Sequence, residues 1–105
     1  MTPPPPGSRA PEPKERQDAA AAVAIAALSF IASEPERLGR FLALTGIGPE
    51  SIRDAAREPD FLLGVLDHLA GDETLLLAFA DQNELDPVQV AWARDVLAAQ
   101  SQERE

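Results

Sequence analysis

Apolar positions recur along this chain in short blocks, most of them opened by a polar break that carries an acidic residue and a proline. The first block, DAAAAVAIAALSFIAS, contains an uncharged run of 14 residues from Ala19 to Ala32. That is too short for a bilayer span, which needs about 20. Lys14 and Arg16 ahead of the run, and small residues at its end, give it the outline of a secretory signal. Against this, Asp18 abuts the run, an acidic proline-rich stretch precedes it, and alanine dilutes its hydrophobicity. The pattern therefore predicts a buried helix whose alanines let neighbouring helices approach closely.

Further helix starts follow. Ser33 and Glu36 have the spacing of a capping box, with Pro35 among the first helical positions. Leu38, Phe41, Leu42 and Thr45 then recur at helical spacing, and Gly46 fits a C-terminal cap. Pro49 opens a short helix predicted to reach about Arg57, with Ile52, Ala55 and Ala56 inward. Pro59 and Asp60 open the next, where Phe61, Leu62, Val65, Leu66 and Leu69 form the cleanest apolar stripe, ended by Gly71. Asp72 caps a helix that turns Leu75, Leu76 and Phe79 inward. Asp86, Pro87 and Gln89 start the last helix, with Leu85 and Val90 placed for a hydrophobic staple. EPERLGRFL at 34–42 and EPDFLLGVL at 58–66 form a weak repeat, which shared helix-start grammar explains as well as duplication does. No run alternates with period two, so no strand is predicted.

The expected fold is all-α, a compact bundle of five or six short helices over residues 18–100. Residues 1–17 hold six prolines and no large apolar residue after Met1. Nothing there offsets the entropy of ordering, so a disordered Pro-rich tail is predicted, with Pro3 to Pro6 able to pre-form polyproline II. Residues 101–105 are expected to fray. A chain of 105 residues is one domain at most.

Charge and composition then narrow the chemistry. The absence of cysteine excludes disulfides and thiolate metal sites, and a single histidine excludes a zinc site with several imidazoles. A net charge of −9 disfavours nonspecific binding to nucleic acid or anionic membrane. From residue 58 to 93 there are eight acids and no lysine or arginine.

LTGIGPESI at 44–52 resembles the hairpin of helix-hairpin-helix DNA-binding proteins, in which glycines let the backbone approach a phosphate at a helix N-terminus. Gly46, Gly48, Arg53 and Arg57 are the phosphate-binding candidates on that reading, with Arg37 and Arg40 nearby. The departures are larger than the likeness. Ile52 stands where that family usually has a small residue, and Glu50 stands where it often has lysine. Glu36–Arg40, Glu50–Arg53 and Asp54–Arg57 also have ion-pair spacing, which leaves little charge for a phosphate. The turn is expected to be a glycine cap followed by a helix start.

No catalytic constellation emerges. His68 lies near a helix C-terminus with no serine or cysteine nucleophile in its helical neighbourhood. DQNELD at 81–86 lacks the glycine and closing glutamate of a calcium loop and is expected to be solvated. Trp92, the only tryptophan, lies on one face of the last helix with Val88, Ala91 and Val96, while Val90, Ala93 and Leu97 lie on another. A helix apolar on two faces is either well buried or shared between a core and a partner; burial of Trp92 in the core is the first expectation, and a partner or dimer contact is the alternative.

ALSFIASEPERLGRFLALTGIGPESIR, FLLGVLDHLAGDETLLLAFA and LDPVQVAWARDVL together resemble the small bacterial proteins grouped as domain of unknown function 3572, over Ala22 to Leu97. The resemblance implies a short, all-helical, cytoplasmic bacterial protein and carries over no site residue. The expected function is a small acidic non-enzymatic interaction or adaptor domain, with Trp92, Val96, Asp67, Asp72 and Glu73 as partner contacts. The alternative is phosphate-backbone binding through Gly46-Ile47-Gly48. No catalytic residue, metal or cofactor is expected. The partner is expected to be a protein, with nucleic acid disfavoured, no membrane, and a monomer or homodimer.

Overall fold

Proline marks where this chain turns into helix. The structure, a computed structural model, describes residues 13–103. It contains α1 (Pro13–Ala32), α2 (Pro35–Thr45), a 3-10 turn (Pro49–Ser51), α3 (Ile52–Ala55), α4 (Pro59–Ala70), α5 (Glu73–Gln82) and α6 (Pro87–Glu103), with no strand among the described residues. The fold is all-α, as expected. Pro opens α1, α2, the 3-10 turn, α4 and α6. The missing N–H costs nothing there, because the first amides of a helix have no intrahelical acceptor.

Two helix ends differ from the sequence expectation. α1 starts at Pro13 rather than Asp18, because Lys14-Glu15-Arg16-Gln17 are good helix formers and Glu15 sits in the first turn. The last helix runs to Glu103, beyond the expected end near Ala99 and into the segment expected to fray. The rest of the tail, residues 1–12, lies outside the described residues. The 49–57 helix is shorter than expected, a 3-10 turn and then one α-turn ending at Ala55.

The core is built around α6. Arg94 bonds Asp67, and Ser101 bonds Asp60, so α6 runs antiparallel to α4. The first turn of α1 lies beside Asp95, Val96 and Ala99, so α6 is antiparallel to α1 as well. Ala20, Ala24, Ala27, Leu28 and Ile31 of α1 are buried. That stripe recurs every three or four residues, and its alanines bring backbones close. Leu62, Val65, Leu66 and Leu69 of α4 and Val90, Ala93 and Leu97 of α6 complete the interior.

Rings attach the remaining helices. Phe30 of α1 meets Phe79 of α5 with centroids 5.6 Å apart. Phe41 of α2 meets Phe61 edge-on at 5.9 Å and His68 at 5.2 Å, both on α4. Such tilted and edge-to-face pairs are the geometry that aromatic quadrupoles favour.

The caps divide into those the sequence announces and those it does not. Asp72 accepts from the Leu75 amide, as an N-cap should. Asp86 accepts from the Val88 amide while the Gln89 side chain accepts from the Asp86 amide, closing a capping box. Leu85 and Val90 both join the core at the staple positions. Gly46 takes φ 74° and donates to the Leu42 carbonyl, the left-handed C-terminal cap. The Ser33–Glu36 box does not form. Glu34 is the N-cap of α2, and the Ser33 hydroxyl instead donates back to the Phe30 carbonyl at the end of α1. Thr45 is likewise exposed rather than packed, its hydroxyl donating to the Phe41 carbonyl. Glu34 and Glu58 both take extended backbone before Pro35 and Pro59, so the two Glu-Pro segments share one helix-start geometry.

Candidate functional site

α6 sorts its apolar residues onto two faces. Val90, Ala93 and Leu97 point into the core. Val88 and Trp92, one helical turn apart, point away from it at 72% and 38% exposed. Trp92 is therefore not a core residue, against the first of the two expectations for it. The cause is phase: at about 100° per residue, Val88, Trp92, Asp95 and Ala99 share the outward side. Ala91 and Asp95 are exposed, and Val96 is half-buried on the α1 flank beside Arg16 and Gln17.

Of the five candidate partner contacts, the structure brings together only Trp92 and Val96. Asp67 is held by Arg94 on the α4 flank of α6, well round the helix from Trp92. Asp72 caps α5 through one carboxylate oxygen, away from Trp92, and Glu73 follows it, exposed, in the first turn. Val88 and Asp95 belong with Trp92 instead. The signal that finds them is the i, i+4, i+7 spacing 88–92–95.

The glycine turn offers little to a phosphate. The Gly46 amide donates to Leu42, the Ile47 amide meets the Thr45 hydroxyl at 3.4 Å, and the Ser51 amide donates to the Gly48 carbonyl. Pro49 has no amide hydrogen. The Glu50 carboxylate folds over Gly48, with an oxygen 2.5 Å from where a Cβ on Gly48 would stand. A like charge thus covers the backbone a phosphate would approach. Arg53 and Arg57 are exposed on and just after a one-turn helix. None of the pairs expected from spacing, Glu36–Arg40, Glu50–Arg53 or Asp54–Arg57, comes within ion-pair distance; Arg37 pairs instead with Glu34 at 3.2 Å.

A cleft of about 250 Å³ opens where α2, the end of α4 and the start of α5 meet. Glu34, Glu36, Arg37 and Arg40 line it from α2 and its N-cap, His68 from α4, and Asp72, Thr74, Leu75 and Ala78 from the α5 side. Arg37 is already engaged, its guanidinium 4.2 Å from the Phe30 ring centroid. Burial holds the His68 pKa below its ordinary value, with the Asp72 carboxylate opposing the shift and Arg40 adding to it. Sequence spacing did not reveal this cleft, because its walls come from residues far apart in the chain. Among the described residues, no group of three or more His, Asp or Glu side chains is placed to hold a metal ion, and no single helix is long and apolar enough to cross a membrane.

A compact helical domain with one half-exposed tryptophan and a charged cleft defines a class of architecture rather than a reaction. The chain belongs to the family described as protein of unknown function (DUF3572), whose model matches residues 17–100. No curated protein and no solved structure matches it.

Proposed function

We propose that the chain is a small acidic, non-enzymatic interaction domain that docks a protein partner on the outward face of α6. The observation that carries this reading is the exposure of Val88 and Trp92 one turn apart on a helix whose core duty is done by Val90, Ala93 and Leu97. Tryptophan is enriched among the hot-spot residues of protein interfaces, which sit inside a rim that excludes water. Asp86 flanks the patch and the 58–93 stretch carries no lysine or arginine, while Asp95 on the same side stands 3.7 Å from the Arg94 guanidinium. The partner is therefore basic around an apolar anchor, and complementary charge steers its approach.

The test uses wild-type protein and the double variant Val88→Ser/Trp92→Ser as bait in extracts of the native cell, with and without nuclease. The reading expects a specific protein to be retained by wild type in both arms and lost by the variant, whose circular dichroism stays native. Equal retention by both baits, or retention that disappears with nuclease, sinks it.

A further inference from the structure

The cleft between α2, α4 and α5 stands apart from the α6 face and holds both signs of charge. We infer that it is a binding site for a small zwitterion of the free amino-acid class, its carboxylate held by Arg40 and His68 and its ammonium by Glu36 and Asp72.

Four observations carry this. Arg37 is satisfied within the fold by Glu34 and by the Phe30 ring, whereas Arg40 and Glu36 form no ion pair among the described residues although they stand one turn apart on α2. Arg40 is thus the cation left for a ligand, and a guanidinium is suited to a carboxylate because it can donate two parallel bonds. His68 is half-buried, its ring fixed edge-on against Phe41 at 5.2 Å, which positions a ring nitrogen without a large entropic cost on binding. Asp72 spends one oxygen on the Leu75 amide, and a carboxylate carries further lone pairs for an ammonium. Leu75 and Ala78 give the cleft an apolar side for a short side chain.

Charge and size select the class. A simple anion meets Glu34, Glu36 and Asp72, and a simple cation meets Arg37 and Arg40, so each is opposed by one sign of the lining. A molecule bearing both signs is opposed by neither. The volume of about 250 Å³ lies below the roughly 300–1,000 Å³ of sites for drug-sized ligands. It suits a single small amino acid rather than a nucleotide or a folded peptide.

His68 is the only histidine, so its ring protons report the site without ambiguity. The experiment follows the His68 ring resonances of the full chain by NMR at neutral pH and low salt. Glycine, L-alanine and L-leucine are titrated in separate arms, with acetate and methylammonium as single-charge controls. At least one amino acid is expected to give a saturating shift with a dissociation constant of about 1–10 mM or tighter. The controls are expected to give none over the same range. Arg40→Gln and Glu36→Gln, both at exposed positions, are each expected to weaken binding by about tenfold or more, consistent with loss of a charge-assisted bond. The absence of saturation with all three amino acids overturns the inference. So do equal shifts with acetate, or full binding by both variants.

Discussion

The alanine row of α1 makes a quantitative demand. Ala24 is fully buried where α1 packs on α4 and α6. Ala24→Leu adds three carbons there. If the helices could part freely, the added burial would stabilise by about 0.8 kcal/mol per carbon, roughly 2.4 kcal/mol in all. They cannot part freely, because Ala20, Ala27, Ala93 and Leu97 are closed to solvent along the same interior. Separating the axes loosens all of these contacts at once. Overpacking a well-filled core costs about 1–3 kcal/mol net. At roughly 4–8 °C per kcal/mol for a domain of this size, Tm should fall by about 5–20 °C. Ala22→Leu is the control, exposed on the same helix. Alanine and leucine differ little in helix propensity, so its effect should stay within about 0.5 kcal/mol. Thermal unfolding followed by far-UV circular dichroism compares the two. A Tm for Ala24→Leu at or above wild type would refute close packing at the alanine row.

Two further outcomes follow from local chemistry. Glu84 is the left-handed residue of a Schellman motif ending α5: φ is 54°, the Leu85 amide donates to the Ala80 carbonyl at 2.8 Å, and the Glu84 amide to Asp81 at 3.3 Å. Glu84→Gly should raise stability by about 0.5–1 kcal/mol in chemical denaturation, since glycine lacks the left-handed penalty of about 1–2 kcal/mol but loses more entropy on folding; an unchanged or lower midpoint refutes the strain. His68 has its folded pKa lowered from 6.5, mainly by burial, with Asp72 raising it and Arg40 lowering it. Its neutral form is the one the fold favours, so its contribution is full above 6.5 and lost as pH falls from there through the folded pKa. Arg37, Glu34 and Glu36 border the same cleft, so the comparison is with His68→Gln. Wild-type Tm should drop more than the variant's between about pH 7.5 and 5.5, and parallel drops would refute the linkage.

Helix existence was legible because it rests on local rules. Asp72, the Asp86–Gln89 box, Gly46 and the prolines each act within four residues of their own position, and each does what its neighbours imply. What failed was competition between local partners. Ser33 had a choice between the start of α2 and the end of α1, and the Phe30 carbonyl took it. Pro13 was hidden by the prolines around it, although Lys14 to Gln17 favour helix. Glu84 in a left-handed turn had no signal at all, because glycine or asparagine is the residue that announces that conformation. The cleft and the Arg94–Asp67 clamp depend on contacts between separate helices, and periodicity within one helix carries no information about them.

Trp92 shows where that limit bears on function. The sequence offered two apolar faces on α6 without saying which one the core uses. The fold resolves this through α1 and α4, whose stripes meet Val90, Ala93 and Leu97. What remains outside on α6 is the pair Val88 and Trp92, as Ile25, Leu44 and Leu77 remain outside on other helices. A surface helix position gains nothing in fold stability from a solvent-facing valine, and strong helix formers such as lysine or glutamate serve it better. Isolated apolar residues on a surface need no explanation, whereas tryptophan is enriched among the residues that anchor protein interfaces. On the proposed reading, Asp86 and the lysine- and arginine-free 58–93 stretch would favour a basic partner. This is why the α6 face, rather than the glycine turn with Glu50 folded over it, supports the interaction reading.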